Sequence, residues 1–119
     1  MKHESFSIKK RFKSFAYAFN GLIILVREEH NARIHLGAAI IATAFGVILK
    51  ISPREWIAVC FAIGFVFAME SINSSIEALA DFVSKERHEE IKKIKDMSAA
   101  GVLVSAITAL VIGMIVFLL

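Results

Sequence analysis

Residues 97–119 carry no charged side chain. As a helix they reach roughly 35 Å at ~1.5 Å per residue, more than the ~30 Å of a bilayer's hydrocarbon core. A run of this kind is stable as a membrane-crossing helix, because lipid leaves every backbone N–H and C=O to be satisfied within the segment. The rest of the composition agrees. Hydrophobic residues make up 57% of the 119, and mean hydropathy is +0.68, above the ~45–50% apolar content of soluble domains. The lone Cys60 has no partner for a disulfide scaffold, and the apolar excess rules out disorder for most of the chain. The length allows a single domain, residues 1–119.

Two further apolar stretches flank Pro53. One spans about residues 32–49 if Arg33 snorkels to the interface. The other runs from about 56 to 82, apolar or small to Met69 and then increasingly polar. Pro53 blocks the first helix from continuing. Orientation follows the Lys/Arg bias. Lys9, Lys10, Arg11 and Lys13 precede the first span, and Lys85, Arg87, Lys92, Lys93 and Lys95 follow the second. Both groups are expected on the cytoplasmic side, which puts the Lys50–Glu55 connection and the C-terminus outside a bacterial inner membrane. No cleavable signal peptide is expected. Basic clusters beside apolar runs point to a membrane surface rather than to nucleic acid.

Ahead of the first span, Phe12, Phe15, Phe19, Leu22 and Val26 recur at helical steps, with Lys9, Lys10, Lys13 and Asn20 off that face. The pattern predicts an amphipathic surface helix over about residues 5–30. A soluble-domain helix shows the same periodicity, but this chain has little soluble core to offer it.

The second span holds the most informative stretch. Glu70, Asn73, Ser74, Glu77 and Asp81 share one helical face, while Ile72, Ile76, Leu79 and Val83 lie on others. Each carboxylate at mid-membrane costs about 2.5–3.5 kcal/mol on insertion scales, so the stripe must face protein or a wet cavity. One explanation is a ladder of interhelical hydrogen bonds closed by loop Lys or Arg residues. The other is a site: clustered hard oxygens suit Mg²⁺, and a buried acid suits proton abstraction. Glu70 lies deeper than Glu77 and Asp81, an arrangement that fits a water-soluble substrate above and a membrane-embedded one below.

The run Glu70-x-x-Asn73-x-x-x-Glu77-x-x-x-Asp81, followed by Glu86-x-His88 and Lys95-Asp96, resembles the prokaryotic diacylglycerol kinase family. The resemblance covers nearly the whole chain. Residues 27–36 and 52–56 look more like the undecaprenol kinase branch. It implies an all-α integral membrane fold, with a surface helix and three transmembrane helices in a homotrimer whose active sites are shared between subunits. It also implies transfer of the γ-phosphate of MgATP to the hydroxyl of a membrane lipid alcohol, undecaprenol or diacylglycerol. By matching position, Glu70 would be the catalytic base, and Glu29 and Glu77 would hold the metal. Lys10, Tyr17, Glu29, Glu77, Glu86, His88, Lys95 and Asp96 would contact the nucleotide. Asn73 and Asp81 would support the site, and Trp56, Ala99 and Glu70 would meet the lipid. Ser74-Ser75 after the Asn, and the Glu/Ile/Lys-rich stretch between His88 and Lys95, depart from the family's common pattern.

No Gly-rich Walker loop is present, so the nucleotide site has to be assembled from side chains. His30 and His35 are five apart, a poor spacing for joint metal binding, and are expected in surface or interface roles. Cys60 is expected to be a buried, inert thiol. Small residues recur every four positions at Ala38, Ala42 and Gly46, and at Gly101, Ser105, Ala109 and Gly113, a spacing that permits close helix approach. A small transport or channel protein using the acidic stripe as a cation path is the competing reading. It gives no reason for Glu29 or for Lys95-Asp96.

Overall fold

Ser52 and Pro53 begin the longest helix of the protein. The computed structural model describes residues 5–86 and 88–119; Arg87, counted in the charge pattern, lies outside them. Four helices follow one another: α1 Ile8–Glu28, α2 His30–Ile48, α3 Pro53–Val83 and α4 Glu89–Leu118. Among the described residues, α2, α3 and α4 are long and apolar enough to cross a membrane. No strand occurs among them.

The helix ends have local causes. Ser7 caps α1, its hydroxyl accepting from the Lys10 N–H. A single extended residue, Glu29, separates α1 from α2. Its N–H donates to the Leu25 carbonyl and its own carbonyl accepts from Arg33. No Gly or Pro marks this break. α2 ends in a Schellman motif: the Ile51 N–H donates to the Gly46 carbonyl and the Lys50 N–H to that of Val47. Lys50 takes the left-handed position, with φ of 52°. A reciprocal capping box then starts α3, Ser52 Oγ accepting from the Glu55 N–H and Glu55 Oε1 from the Ser52 N–H. Pro53 at the first helical turn has no N–H to lose there.

Packing is tightest between α3 and α4, while α1 touches both α2 and α3. Val59, Ala62, Val66 and Glu70 form the buried face of α3, so an apolar seam turns acidic at Glu70. Opposite it, the small residues of α4 divide into two groups. A methyl on Gly101 would come within 2.5 Å of Met69 Cε, and Ser105 is fully buried, its hydroxyl donating to the Val102 carbonyl. Gly113 meets nothing within 4 Å, and with Ala109 it lines a cleft instead. At the far end of α2, Gly46 lets the Trp56 ring and Ile51 close in; a Cβ there would lie 2.7 Å from Trp56 Cη2. Cys60 is exposed on the single subunit, contrary to the expectation of a buried thiol. It sits on the lipid-compatible flank of α3, away from the Val59–Ala62–Val66 seam.

Candidate active site at the acidic end of α3

Glu70 is buried, its side chain about 3% exposed. Its nearest polar neighbour comes from another helix: His35 Nε2 of α2 lies 3.1 Å from Glu70 Oε1. The pair is at ion-pair distance, yet no well-aligned hydrogen bond reaches that oxygen. Glu29, at the joint of α1 and α2, and Glu77, two turns further along α3, both bring their charge to bear on Glu70. Asn73 Nδ2 makes a long contact of 3.5 Å to Glu77 Oε1, steadying the carboxylate from one turn away. Glu29 caps α2 through its backbone alone, which leaves its carboxylate available for other work.

His35 corrects the surface or interface role expected of it. The signal was present in the sequence. His35 precedes Ala38, Ala42 and Gly46 at helical spacing and continues their small-residue seam toward α3, whereas comparing it with His30 alone conceals this.

Buried oxygens without hydrogen-bond partners concentrate here. Among the described residues they are Glu70 Oε1, Asn73 Oδ1, Ser74 Oγ and, from α4, Ser98 Oγ. Buried polar atoms are rarely left unpaired in native structures, since each costs about 1–3 kcal/mol. Their concentration at one end of the α3–α4 seam marks a place built to receive polar groups.

A second cluster closes the α3–α4 hairpin. Lys95 Nζ lies 2.6 Å from Asp81 Oδ1, and Lys92 Nζ lies 2.6 Å from Asp96 Oδ2. These pairs are partly exposed, so each contributes only about 0.2–1 kcal/mol and yields readily to a stronger anion. Asp81 thus meets a cation of the kind a purely structural ladder would require, whereas among the described residues Glu70 meets no Lys or Arg. In the connection, Ser84 Oγ accepts from the Glu86 N–H, and His88 Nε2 stands 3.9 Å from Glu86 Oε2.

The remaining expected site residues are dispersed. Lys10 and Tyr17 stand on exposed faces of α1, Tyr17 at 72% exposure. Ala99 is exposed on α4. Trp56 lies fourteen residues from Glu70 on the same helix, roughly 21 Å at ~1.5 Å per residue, and packs on Gly46.

Below His35 an apolar cleft of about 700 Å³ opens between α2, α3 and α4, with Ala38, Ala42, Val66, Ala109 and Gly113 among its walls. His35 is the one polar residue lining it. The His35 imidazole thus lies between the apolar cleft and the Glu70 carboxylate.

Among the described residues no three His, Cys, Asp or Glu side chains converge to cage a metal ion unaided. Mg²⁺ does not require such a cage. That ion is commonly held by one or two carboxylates, with water and substrate phosphates completing its shell.

Three membrane-length helices, with a buried acid next to the one imidazole on the cleft wall, fit a multi-pass membrane protein. Residues 16–117 match the family described as prokaryotic diacylglycerol kinase. The undecaprenol kinase of Bacillus subtilis (strain 168) is 32% identical over 111 residues, 93% of this chain and 90% of that protein. The diacylglycerol kinase of Escherichia coli (strain K12) is 26% identical over 93% of this chain and 91% of its own length. That of Helicobacter pylori (strain ATCC 700392 / 26695) is 32% identical over 83% and 77%. The chain belongs to the prokaryotic diacylglycerol kinase family, and it is a lipid kinase.

Proposed function

We propose that the protein transfers the γ-phosphate of ATP to the hydroxyl of a membrane lipid alcohol, undecaprenol ahead of diacylglycerol. The observation that carries this reading is the placement of Glu70. It is a buried carboxylate 3.1 Å from His35, the imidazole on the wall of an apolar cleft, with Glu77 two turns further along the same helix. If the hydrocarbon core begins at Trp56, Glu70 lies roughly 21 Å along α3 and Glu77 roughly 32 Å, the latter just past a ~30 Å core. A lipid hydroxyl can thus approach Glu70 from within the bilayer while a nucleotide approaches Glu77 from the water.

In the reaction, the lipid hydroxyl oxygen attacks the γ-phosphorus as its proton passes to the Glu70 carboxylate. The bond from that phosphorus to the β–γ bridging oxygen breaks, and ADP departs. Phosphoryl transfer asks for positioning and charge neutralisation more than for covalent help. Glu29 and Glu77 would hold Mg²⁺, which when bound supplies charge neutralisation at the phosphates. Lys95, exchanging Asp81 for a phosphate, adds a positive charge, and Asp96, Glu86, His88, Lys10 and Tyr17 complete the nucleotide contacts. Asn73 and Asp81 support the site, with Trp56 and Ala99 along the lipid. Preference for undecaprenol rests on the likeness to the Bacillus subtilis undecaprenol kinase.

The same reading places α1 in the cytoplasmic interface, with Phe12, Phe15, Phe19 and Leu22, all exposed on the single subunit, dipping into lipid. The whole chain, residues 1–119, then forms one domain of a homotrimer in the inner membrane, with its N-terminus cytoplasmic and its C-terminus outside. The exposed apolar flanks of α2 and α4 suit contact with lipid or with neighbouring subunits. A cation path along the stripe is less well supported, since Asp81 is closed off by Lys95. Competition between undecaprenol and diacylglycerol for labelled phosphate in mixed micelles tests the proposal. Undecaprenol should dominate at equal mole fraction; phosphorylation of neither lipid would refute the reading.

A further inference from the structure

We infer that His35 is a positioning residue for the transfer: its Nε2–H fixes one oxygen of Glu70 and so aims the other at the lipid hydroxyl. This rests on the proposed kinase reaction with Glu70 as its base.

Three observations carry it. The first is the 3.1 Å separation between His35 Nε2 and Glu70 Oε1, a contact between two helices that no sequence neighbour supplies. The second is burial. The Glu70 oxygen facing His35 has no aligned hydrogen-bond partner among the described residues, and a modest turn of the imidazole would provide one. Hydrogen bonds at catalytic groups commonly stand loose before substrate binds and tighten in the reacting complex. The third is location. His35 alone brings a polar atom to the wall of the apolar cleft, so a lipid head entering from the cleft passes the imidazole on its way to Glu70.

Chemistry explains why this position benefits from a donor. A carboxylate on a helix otherwise packed with Val59, Ala62 and Val66 can rotate about its terminal torsions unless something holds it. Glu29 and Glu77 repel it and hold it in no one orientation. Of the residues that interact with Glu70, His35 is the one that can donate. An imidazole held at Nε2 fixes the carboxylate without moving the backbone. The step itself is unchanged: the hydroxyl proton still goes to Glu70, and the new phosphate ester forms as ADP leaves.

The test is a kinetic comparison of the full-length protein in mixed micelles of detergent and undecaprenol, with ATP as donor. His35→Ala is expected to lower kcat by about 10–100-fold, part of the ~10²–10⁴ that a general base supplies, with KM for ATP changed less than about twofold. His35→Gln, whose amide nitrogen can occupy the place of Nε2, should restore kcat to within about fivefold of the wild type. In a Glu70→Gln background, His35→Ala should have no further effect, because there is no base left to aim. Three outcomes overturn the inference: wild-type kcat in His35→Ala, equal loss in His35→Ala and His35→Gln, or a loss confined to KM. Full activity in Glu70→Gln would instead remove the base on which the inference depends, and a wild-type protein inactive on every lipid alcohol would remove the kinase reading itself.

Discussion

Lys95 reaches from α4 across the α3–α4 hairpin to Asp81, Nζ to Oδ1 at 2.6 Å. The pair clips the hairpin, and on the proposed reading it also holds in place the cation that would meet a nucleotide phosphate. Because it is partly exposed, Asp81→Asn should cost only about 0.2–1 kcal/mol of stability. With Lys95 released, KM for ATP should stay level or fall. Lys95→Met should act in the opposite direction, raising that KM at least about tenfold. Thermal melts in detergent and initial rates against ATP concentration separate the two roles.

Gly46 makes room for the Trp56 indole at the C-terminal end of α2. Gly46→Ala places a methyl 2.7 Å from the ring and 3.1 Å from Ile51 Cδ1, so the expected loss is about 1–3 kcal/mol, as for other overpacked sites. Gly113→Ala meets nothing within 4 Å and should be neutral or gain up to about 1 kcal/mol from helix propensity. Equilibrium unfolding in mixed micelles would order the two variants. Equal stability would show that the ring moves aside without cost.

The connection between α2 and α3 offers a pair of opposite sign. Lys50 holds φ of 52° in a position that favours glycine, so Lys50→Gly should stabilise by up to about 1 kcal/mol. Ser52→Ala removes half of the capping box and should cost about 1 kcal/mol. Both should leave kcat unchanged, since neither residue approaches Glu70.

Removing the metal tests Glu29 and Glu77. Chelation should abolish turnover and Mg²⁺ should restore it. Glu29→Gln and Glu77→Gln should each shift the half-saturating Mg²⁺ concentration upward by about tenfold or more, in the range seen when metal-supporting groups are lost. Activity against free Mg²⁺ measures this directly. An unmoved curve in both variants would place the metal elsewhere.

How much of this was legible beforehand depended on what each feature requires. The uncharged run of residues 97–119 and the acid stripe from Glu70 are periodic signals within one helix, and both read clearly. Pro53 was legible as the block that ends the first span, whereas α3 starts at Pro53 itself, ahead of the expected position of about 56, because Ser52 and Glu55 form a capping box. The sequence predicts a boundary between the surface helix and the first span at about residues 30–32. Its exact place at Glu29 did not show, because Arg27-Glu28-Glu29-His30 contains no glycine or proline and the turn is made by one extended residue held by its neighbours. The partner of Glu70 was hidden for another reason. His35 continues the small-residue seam of α2, which marks the face that packs, but nothing periodic in either helix names Glu70, 35 residues on, as what it meets. Cys60 was misjudged because an apolar neighbourhood in sequence fits a lipid-facing flank as well as a core.

The central claim is that Glu70 accepts the hydroxyl proton. Its most direct test measures phosphate transfer from ATP to undecaprenol by the wild type and by Glu70→Gln, with nucleotide affinity determined in parallel. A fall in kcat of about 10²–10⁴ with ATP affinity within about twofold is the predicted result. Glu70→Gln turning over at the wild-type rate would contradict it.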